Sequence, residues 1–179
     1  MTQLESAKNR EITPVMNAVA RAEGVPPETV RDQVAAGHAV IPFNPAHAPR
    51  QPMGVGRLFR TKVNANLGRS TERSEEREEL VKLGVALKAG ADFVMDLSVG
   101  DDLRAIRQGM LDQSPVPLGT VPLYEAVSRC GDDIKHLTPD LMLAVIDEQA
   151  RQGVDFMTLH AGLLRRHVPL ALKRKLGIV

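Results

Sequence analysis

The chain has very little of three things from which many functional sites are built: cysteine, aromatic side chains and an excess of one charge. Cys130 is the one cysteine among 179 residues, so the chain alone forms neither an internal disulfide nor a thiolate-rich metal cage. A self-contained iron–sulfur cluster, which takes about three or four cysteines, is excluded on the same ground. With no Trp, one Tyr and four Phe, the core must consist of aliphatic side chains and methionine.

Positive and negative charges nearly cancel, and the chain has no long apolar segment. Twenty-three Lys and Arg residues oppose 22 Asp and Glu residues, whereas a nucleic-acid-binding protein normally carries a basic face. No apolar run approaches the roughly 18–20 residues of a membrane span, and the N-terminus lacks the apolar stretch of a secretory signal. We therefore expect a cytoplasmic protein that binds neither nucleic acid nor a membrane.

The first sixty residues predict helices followed by a loop. Thr13-Pro14 and Pro26-Pro27 each have the pattern of a helix start. The segment 38–60 contains four prolines and predicts extended or looped backbone. We expect residues 1–60 to form N-terminal helices with a proline-rich loop, and residues 61–179 to form a second unit.

From residue 61 onward, strand-like and helix-like segments alternate. This order indicates parallel βα units. The predicted fold class is α/β: a partial TIM-type (β/α) barrel of about four to five parallel βα units, preceded by the N-terminal helical segment. The barrel is predicted to be incomplete because a whole one takes about 250 residues. The predicted strands are 62–67, 91–97, 116–121 and 154–159, with a fifth beginning at 176.

A short internal echo supports the repeated units. The sequence GADF at 90–93 recurs as GVDF at 153–156, which is 63 residues later. That interval corresponds to two βα units of about 30 residues each. A four-residue similarity also arises by chance, so the echo supports the barrel prediction without establishing it.

Four side chains fall at or just beyond the predicted strand ends: Asn66, Met95, Tyr124 and His160. The first three are spaced by 29 residues each, and His160 follows after 36. In parallel βα folds, functional residues lie at the carboxyl ends of the strands. An amide, a thioether, a phenol and an imidazole at one edge predict a site for a polar heterocycle.

Each of these four residues also has a purely structural interpretation. Asn66 is equally consistent with a loop-capping amide, and Met95 with core filling. Tyr124 suits a half-buried anchor, and His160 suits a structural histidine. The hypothesis of a binding site therefore depends on the four taken together.

Other polar residues carry no clear signature. Asp96 either points into the barrel or caps the next turn. His38 and His47 lie nine residues apart in the proline-rich loop, which is not a metal-ligand spacing, and we predict no metal ligands in the chain. The basic residues at 165–167 and 173–175 have the pattern of a solvated helix face.

Four uncommon sequence blocks, in this order, resemble the phosphomethylpyrimidine synthases, the radical S-adenosylmethionine family of the thiamine pathway. The blocks are TKVNANLGRS at 61–70, GADFVMDLSVGDDL at 90–103, SPVPLGTVPLYEA at 114–126 and QGVDFMTLHAGLL at 152–164. The resemblance implies a βα barrel that binds aminoimidazole ribonucleotide. It also implies a carbon–carbon lyase in which a deoxyadenosyl radical converts this ribonucleotide to 4-amino-5-hydroxymethyl-2-methylpyrimidine phosphate. By matching motif, it assigns substrate contacts to Asn66, Met95, Tyr124 and His160.

The same resemblance shows what this chain does not carry. The family continues with Ser-Arg-Gly-Gly and Asp-Gly-Leu-Arg segments, a metal-binding pair of histidines and a cysteine motif for a cluster. It thus implies S-adenosylmethionine, a 4Fe-4S cluster and zinc in the full-length enzyme, and none of the residues that bind them is identifiable in this chain. It also implies that the full-length enzyme is a homodimer. Val99 also stands where the family usually has threonine. We therefore expect a truncated family member that is inactive alone.

The sequence is also consistent with two other functions. A paralogous hydroxybenzimidazole synthase starts from the same ribonucleotide and would share these four residues. A non-catalytic half-barrel that binds a partner or a second copy is the alternative from a different class.

Overall fold

The computed structural model describes residues 1–70, 76–100, 102–131, 133–162 and 164–174. These residues form a mixed α/β fold. Three helices come first, and a parallel sheet with intervening helices follows. No helix in this described part is long and apolar enough to cross a membrane.

The N-terminal part contains three helices rather than the two that the sequence pattern predicts. Helices α2 (Pro14–Glu23) and α3 (Pro27–Ala35) begin at the two predicted starts. The helix that the pattern missed, α1 (Gln3–Lys8), has only six residues. It is fixed by a reciprocal cap in which the Thr2 hydroxyl accepts from the Glu5 N–H and the Glu5 carboxylate accepts from the Thr2 N–H.

These helices share a core with the proline-rich loop. Met16, Val19, Val30 and Val34 are buried together with Phe59 of the loop. The loop itself forms only a two-stranded antiparallel pair, β1 (Ala39–Val40) with β2 (Val55–Gly56). The division of the chain at residue 60 stays a prediction.

The rest of the described chain is built on a four-stranded parallel sheet in the order β3-β4-β5-β6. The parallel α/β prediction is therefore confirmed, whereas closure into a barrel stays a prediction. The predicted fifth strand lies outside the described residues. The strands are β3 (Asn64–Leu67), β4 (Phe93–Asp96), β5 (Leu118–Thr120) and β6 (Phe156–Met157).

Helices connect the strands, as parallel pairing requires. One face of the sheet packs against them, and its core contains Leu83, Ile106 and Met110 beside Val94 and Leu118 of the strands. The helices are α4 (Glu76–Lys88), α5 (Leu103–Gln113), α6 (Pro122–Arg129) and α7 (Pro139–Gln152), and a short α8 (Val168–Leu172) follows β6.

The echo found in the sequence has a structural counterpart. Asp92 precedes β4, where its N–H donates to the carbonyl of Val63 and its carboxylate accepts from the Val63 N–H. Asp155 precedes β6 and makes the same two bonds with Leu118 of the neighbouring strand. Each aspartate therefore locks the start of one strand to the strand before it.

Each aspartate also binds a basic side chain from the N-terminal part. The Arg60 guanidinium contacts the Asp92 carboxylate through two nitrogens, and this ion pair holds the pKa of Asp92 below its usual range. His47 Nδ1 lies 2.5 Å from Asp155 Oδ2, and its Nε2 lies 3.0 Å from the carbonyl oxygen of Ser114. His47 thus fastens the proline-rich loop to the amino-terminal edge of the sheet.

The His47–Asp155 pair predicts a specific pH dependence of stability. Burial disfavours the imidazolium, but the hydrogen bond and charge of Asp155 outweigh it, so the pKa of His47 lies above its ordinary value of 6.5. The stabilisation due to this charge is complete below that unfolded value, and it is lost as the pH rises through the higher folded pKa. His47→Ala should therefore cost about 3 kcal/mol at mildly acidic pH and less at alkaline pH.

Urea unfolding of the native chain and of His47→Ala at several pH values measures this difference. His38→Ala is the matched control, because His38 lies in the same loop and is exposed. A cost of His47→Ala that stays constant from acidic to alkaline pH would show that charge has no part in the contact.

Candidate functional site

Asn66 and Met95 are neighbours in the sheet. They are register partners on the parallel strands β3 and β4, so their side chains leave the same face of the sheet. The Asn66 Oδ1 atom accepts a 2.7 Å hydrogen bond from Asn64, two residues earlier on that face. Asn66 is exposed and Met95 is half-buried, so a ligand can reach both.

Tyr124 and His160 follow the other two strands. Helix α6 begins two residues after β5 ends, which places Tyr124 in the first helical turn with 38% of its surface exposed. His160 lies three residues beyond the end of β6 and is exposed. Both residues therefore stand at the carboxyl edge of the sheet, as the sequence predicts.

The four candidates share an edge of the sheet, but they are not bonded to one another. Asn66 and Met95 are partners in the strand register, and no hydrogen bond in the described part of the chain joins any two of the four. A cleft of about 520 Å³ lies elsewhere, and it is lined mainly by apolar side chains of α1, α3 and the segment 39–45. None of the four lines that cleft.

Asp96 does not belong to this group of side chains. It follows Met95 in β4 and points to the opposite face of the sheet, where it is 6% exposed. Its carboxylate accepts from the Ser98 N–H at 3.0 Å, so it caps the turn after the strand. Burial raises the pKa of Asp96 above its ordinary value.

A buried polar network beside the site was not predicted from the sequence. Glu125 Oε2 accepts from Arg107 of α5 at 2.9 Å and from Gln149 of α7 at 2.7 Å, and Glu125 Oε1 accepts from Arg129 at 2.6 Å. Gln149 in turn accepts from the Thr120 hydroxyl of β5 at 2.6 Å. The detectable signal was Arg107, a charge in the apolar stripe of α5.

The charge of Glu125 is maintained inside this network. Burial raises the pKa of the Glu125 carboxyl, but the charge of Arg107 and the hydrogen bonds from Gln149, Arg129 and Arg107 outweigh burial. The pKa therefore lies below its usual range, and Glu125 accepts as a carboxylate.

The described residues do not fit a metal ion or a cluster. Cys130 is half-buried, and its sulfur lies near the carbonyl oxygens of Val127 and Asp133, at 3.2 and 3.4 Å. No group of three His, Cys, Asp or Glu side chains in the described ranges is arranged to hold a metal ion. His38 and His47 do not form a pair, since His47 is occupied by Asp155 and Ser114.

A parallel α/β sheet with functional side chains at its carboxyl edge is a common enzyme architecture, and comparison with known proteins narrows the class. Residues 2–179 match the sequence model of the Radical SAM ThiC family. The chain therefore belongs to this family.

Individual relatives agree with this assignment. The chain is 53% identical over 178 residues to a protein named phosphomethylpyrimidine synthase from Halobacterium salinarum (strain ATCC 29341 / DSM 671 / R1), covering 99% of the chain and 37% of the relative. It is also 53% identical over 179 residues to the protein of the same name from Haloarcula marismortui, covering 100% of the chain and 37% of the relative. The chain thus spans little more than a third of these curated relatives, corresponding to their N-terminal part.

Proposed function

We propose that this chain supplies part of the substrate-binding site of a phosphomethylpyrimidine synthase, a carbon–carbon lyase that converts aminoimidazole ribonucleotide in thiamine biosynthesis. The observation that carries the proposal is the common location of Asn66, Met95, Tyr124 and His160. These residues belong to four successive βα units, and all stand at the carboxyl edge of one parallel sheet.

The accessibility of the four side chains supports a role in binding. Asn66, Tyr124 and His160 are exposed, and Met95 is half-buried. In contrast, the side chains that hold the sheet to its helices, such as Val94 and Leu118, are fully buried. Polar side chains left exposed at the functional edge of a parallel sheet are available for a ligand.

The four side chains suit the chemistry of a ribonucleotide. The Asn66 amide both donates and accepts, the Tyr124 hydroxyl does the same, and the His160 imidazole exchanges donor for acceptor by tautomer. These groups match ribose hydroxyls, phosphate oxygens and ring nitrogens. The Met95 thioether is a soft apolar group that suits contact with the imidazole face.

The order of the strands supports a larger barrel. The sheet runs β3-β4-β5-β6 without a change of direction, as a TIM-type barrel requires. Within the described residues, β3 and β6 each have one unpaired side, and unpaired edges are normally covered. We propose that the sheet is one half of a (β/α) barrel, completed by further strands or by a partner.

The family implies S-adenosylmethionine and an iron–sulfur cluster, which would supply the radical that starts the rearrangement. No group of side chains in the described ranges is arranged to hold the cluster or zinc, so these groups are assigned to none of those residues. The proposed contribution of this chain is to bind and orient the ribonucleotide.

Binding of aminoimidazole ribonucleotide to the purified chain tests the proposal. We expect weak, saturable binding in the millimolar range, observed by NMR as shifts of the four candidate residues. His160→Ala removes a hydrogen bond worth about 1–3 kcal/mol and should weaken binding about tenfold. The measurement is the dissociation constant from the NMR titration.

His136→Ala is the control, because His136 is also exposed but lies in the short helical turn Ile134–His136, away from a strand end. It should leave the dissociation constant unchanged. Equal affinity of the two variants would assign His160 a structural role, and no binding by the native chain would favour the half-barrel interaction module.

A further inference from the structure

Tyr124 lies in the first turn of helix α6, whose last turn is held by Ser128, which donates to the Gly100 carbonyl, and by Arg129, which donates to Glu148 of α7. Helix α6 has eight residues, and its N-cap residue Val121 makes no side-chain cap bond. An isolated helix shorter than about 12–15 residues is marginal in water. The buried face of α6 offers only Pro122, Glu125 and Ala126, of which the two apolar residues are small.

The Glu125 carboxylate anchors the first turn of α6, where Tyr124 lies. It receives a donor from α5 through Arg107 and a donor from α7 through Gln149. The Gln149 amide also binds Thr120, the last residue of β5. Glu125, Gln149 and Thr120 are each at most 6% exposed. These buried bonds therefore connect α6 to β5, the strand that precedes it.

Fixing Glu125 also fixes its neighbour in the chain. Successive side chains on a helix are about 100° apart, so the direction of Glu125 determines that of Tyr124. We propose that Glu125 is a positioning residue: by anchoring the first turn of α6 to α5, α7 and β5, it directs the Tyr124 hydroxyl to the ligand at the carboxyl edge. This inference deepens the proposed function and rests on it for the identity of the ligand.

The composition of the chain offers a direct readout. Tyr124 is the only tyrosine and there is no tryptophan, so the tyrosine band in near-ultraviolet circular dichroism reports on this one side chain. Glu125→Gln removes the charge that Arg107 binds. In the folded variant we expect the tyrosine band to lose at least half its intensity. We also expect the affinity for aminoimidazole ribonucleotide to fall about tenfold, which is the same loss that we expect for Tyr124→Phe.

Two further variants separate positioning from stability. Arg107→Met/Glu125→Met replaces the buried ion pair by apolar side chains, a change that is often neutral for stability, and it also removes the directional bonds. The buried Gln149 amide loses its acceptor in this variant, so its unfolding temperature should fall, by an amount comparable to that of a lost helix cap. Its tyrosine band and its affinity should both be as low as those of Glu125→Gln. Thr138→Ala removes the hydroxyl that accepts from Leu141 at the start of α7; it lowers stability but should leave band and affinity unchanged.

The proposal would be overturned if a folded Glu125→Gln variant kept both the native tyrosine band and the native affinity. The same result in the folded Arg107→Met/Glu125→Met variant would overturn it as well. If Glu125→Gln does not fold, the tyrosine band and affinity of the double variant alone test the proposal. If the native chain binds no aminoimidazole ribonucleotide, the proposed function fails. The tyrosine band still tests the positioning of Tyr124 in that case.

Discussion

Asp155→Ala is expected to lower the free energy of unfolding by about 4 kcal/mol. The Asp155 side chain is 0% exposed, and its carboxylate accepts from the Asn44 N–H at 2.7 Å and the Leu118 N–H at 2.8 Å, besides His47 at 2.5 Å. Alanine leaves these three donors buried without an acceptor. The loss affects β5, β6 and the proline-rich loop together, and urea unfolding measures it.

Asp147→Ala is the matched control for this prediction. Asp147 also accepts from a basic side chain, Arg151, at 2.7 Å, but its side chain is 60% exposed. An exposed pair contributes about 0–1 kcal/mol, so the control should unfold close to the native denaturant concentration. Similar costs for the two variants would show that Asp155 is not a buried anchor.

Gly119→Ala is expected to cost about 3 kcal/mol, the upper part of the range for overpacking. Gly119 lies in the middle of β5, and the Phe156 ring of β6 crosses directly over it. A Cβ atom at Gly119 would lie 2.7 Å from Phe156 Cδ2 and nearer to two other ring atoms. The ring itself packs edge-to-face on Phe93 at 5.5 Å between centroids, a contact that it would lose by moving away.

Two variants test whether the clash is the cause. In a Phe156→Ala background, Gly119→Ala should cost little, and the difference between backgrounds is the coupling energy of a double-mutant cycle. Gly84→Ala is the control, because a Cβ atom there meets nothing within 4 Å; in helix α4 it should raise stability by up to about 1 kcal/mol. An equal cost of Gly119→Ala in both backgrounds would contradict the account.

The alternation of strands and helices was predictable because it depends on local patterns. Thr13 and Thr138 cap the helices that follow them, and Gly90 and Gly153, both at positive φ, follow helix ends. The GADF and GVDF echo was also visible in the sequence. Its physical meaning was not, because the donors that Asp92 and Asp155 bind lie in the neighbouring strand and in the distant loop.

The candidate site was predictable in part for the same reason. The positions of Asn66, Met95, Tyr124 and His160 follow from the rule that function lies at the carboxyl ends of parallel strands. The register that makes Asn66 a partner of Met95 is a tertiary property that spacing alone does not determine. A similar limit applies to Glu125, because its partners come from two other helices.

The most direct test of the central claim is a measurement of nuclear Overhauser effects between bound aminoimidazole ribonucleotide and the chain. Met95 has a methyl group in β4, and Tyr124 is the only tyrosine, so contacts with both can be assigned. We predict contacts from one ligand molecule to the Met95 methyl group and the Tyr124 ring. Contacts confined to the apolar cleft around Leu4 and Val40 would contradict a ribonucleotide site at the carboxyl edge of the sheet.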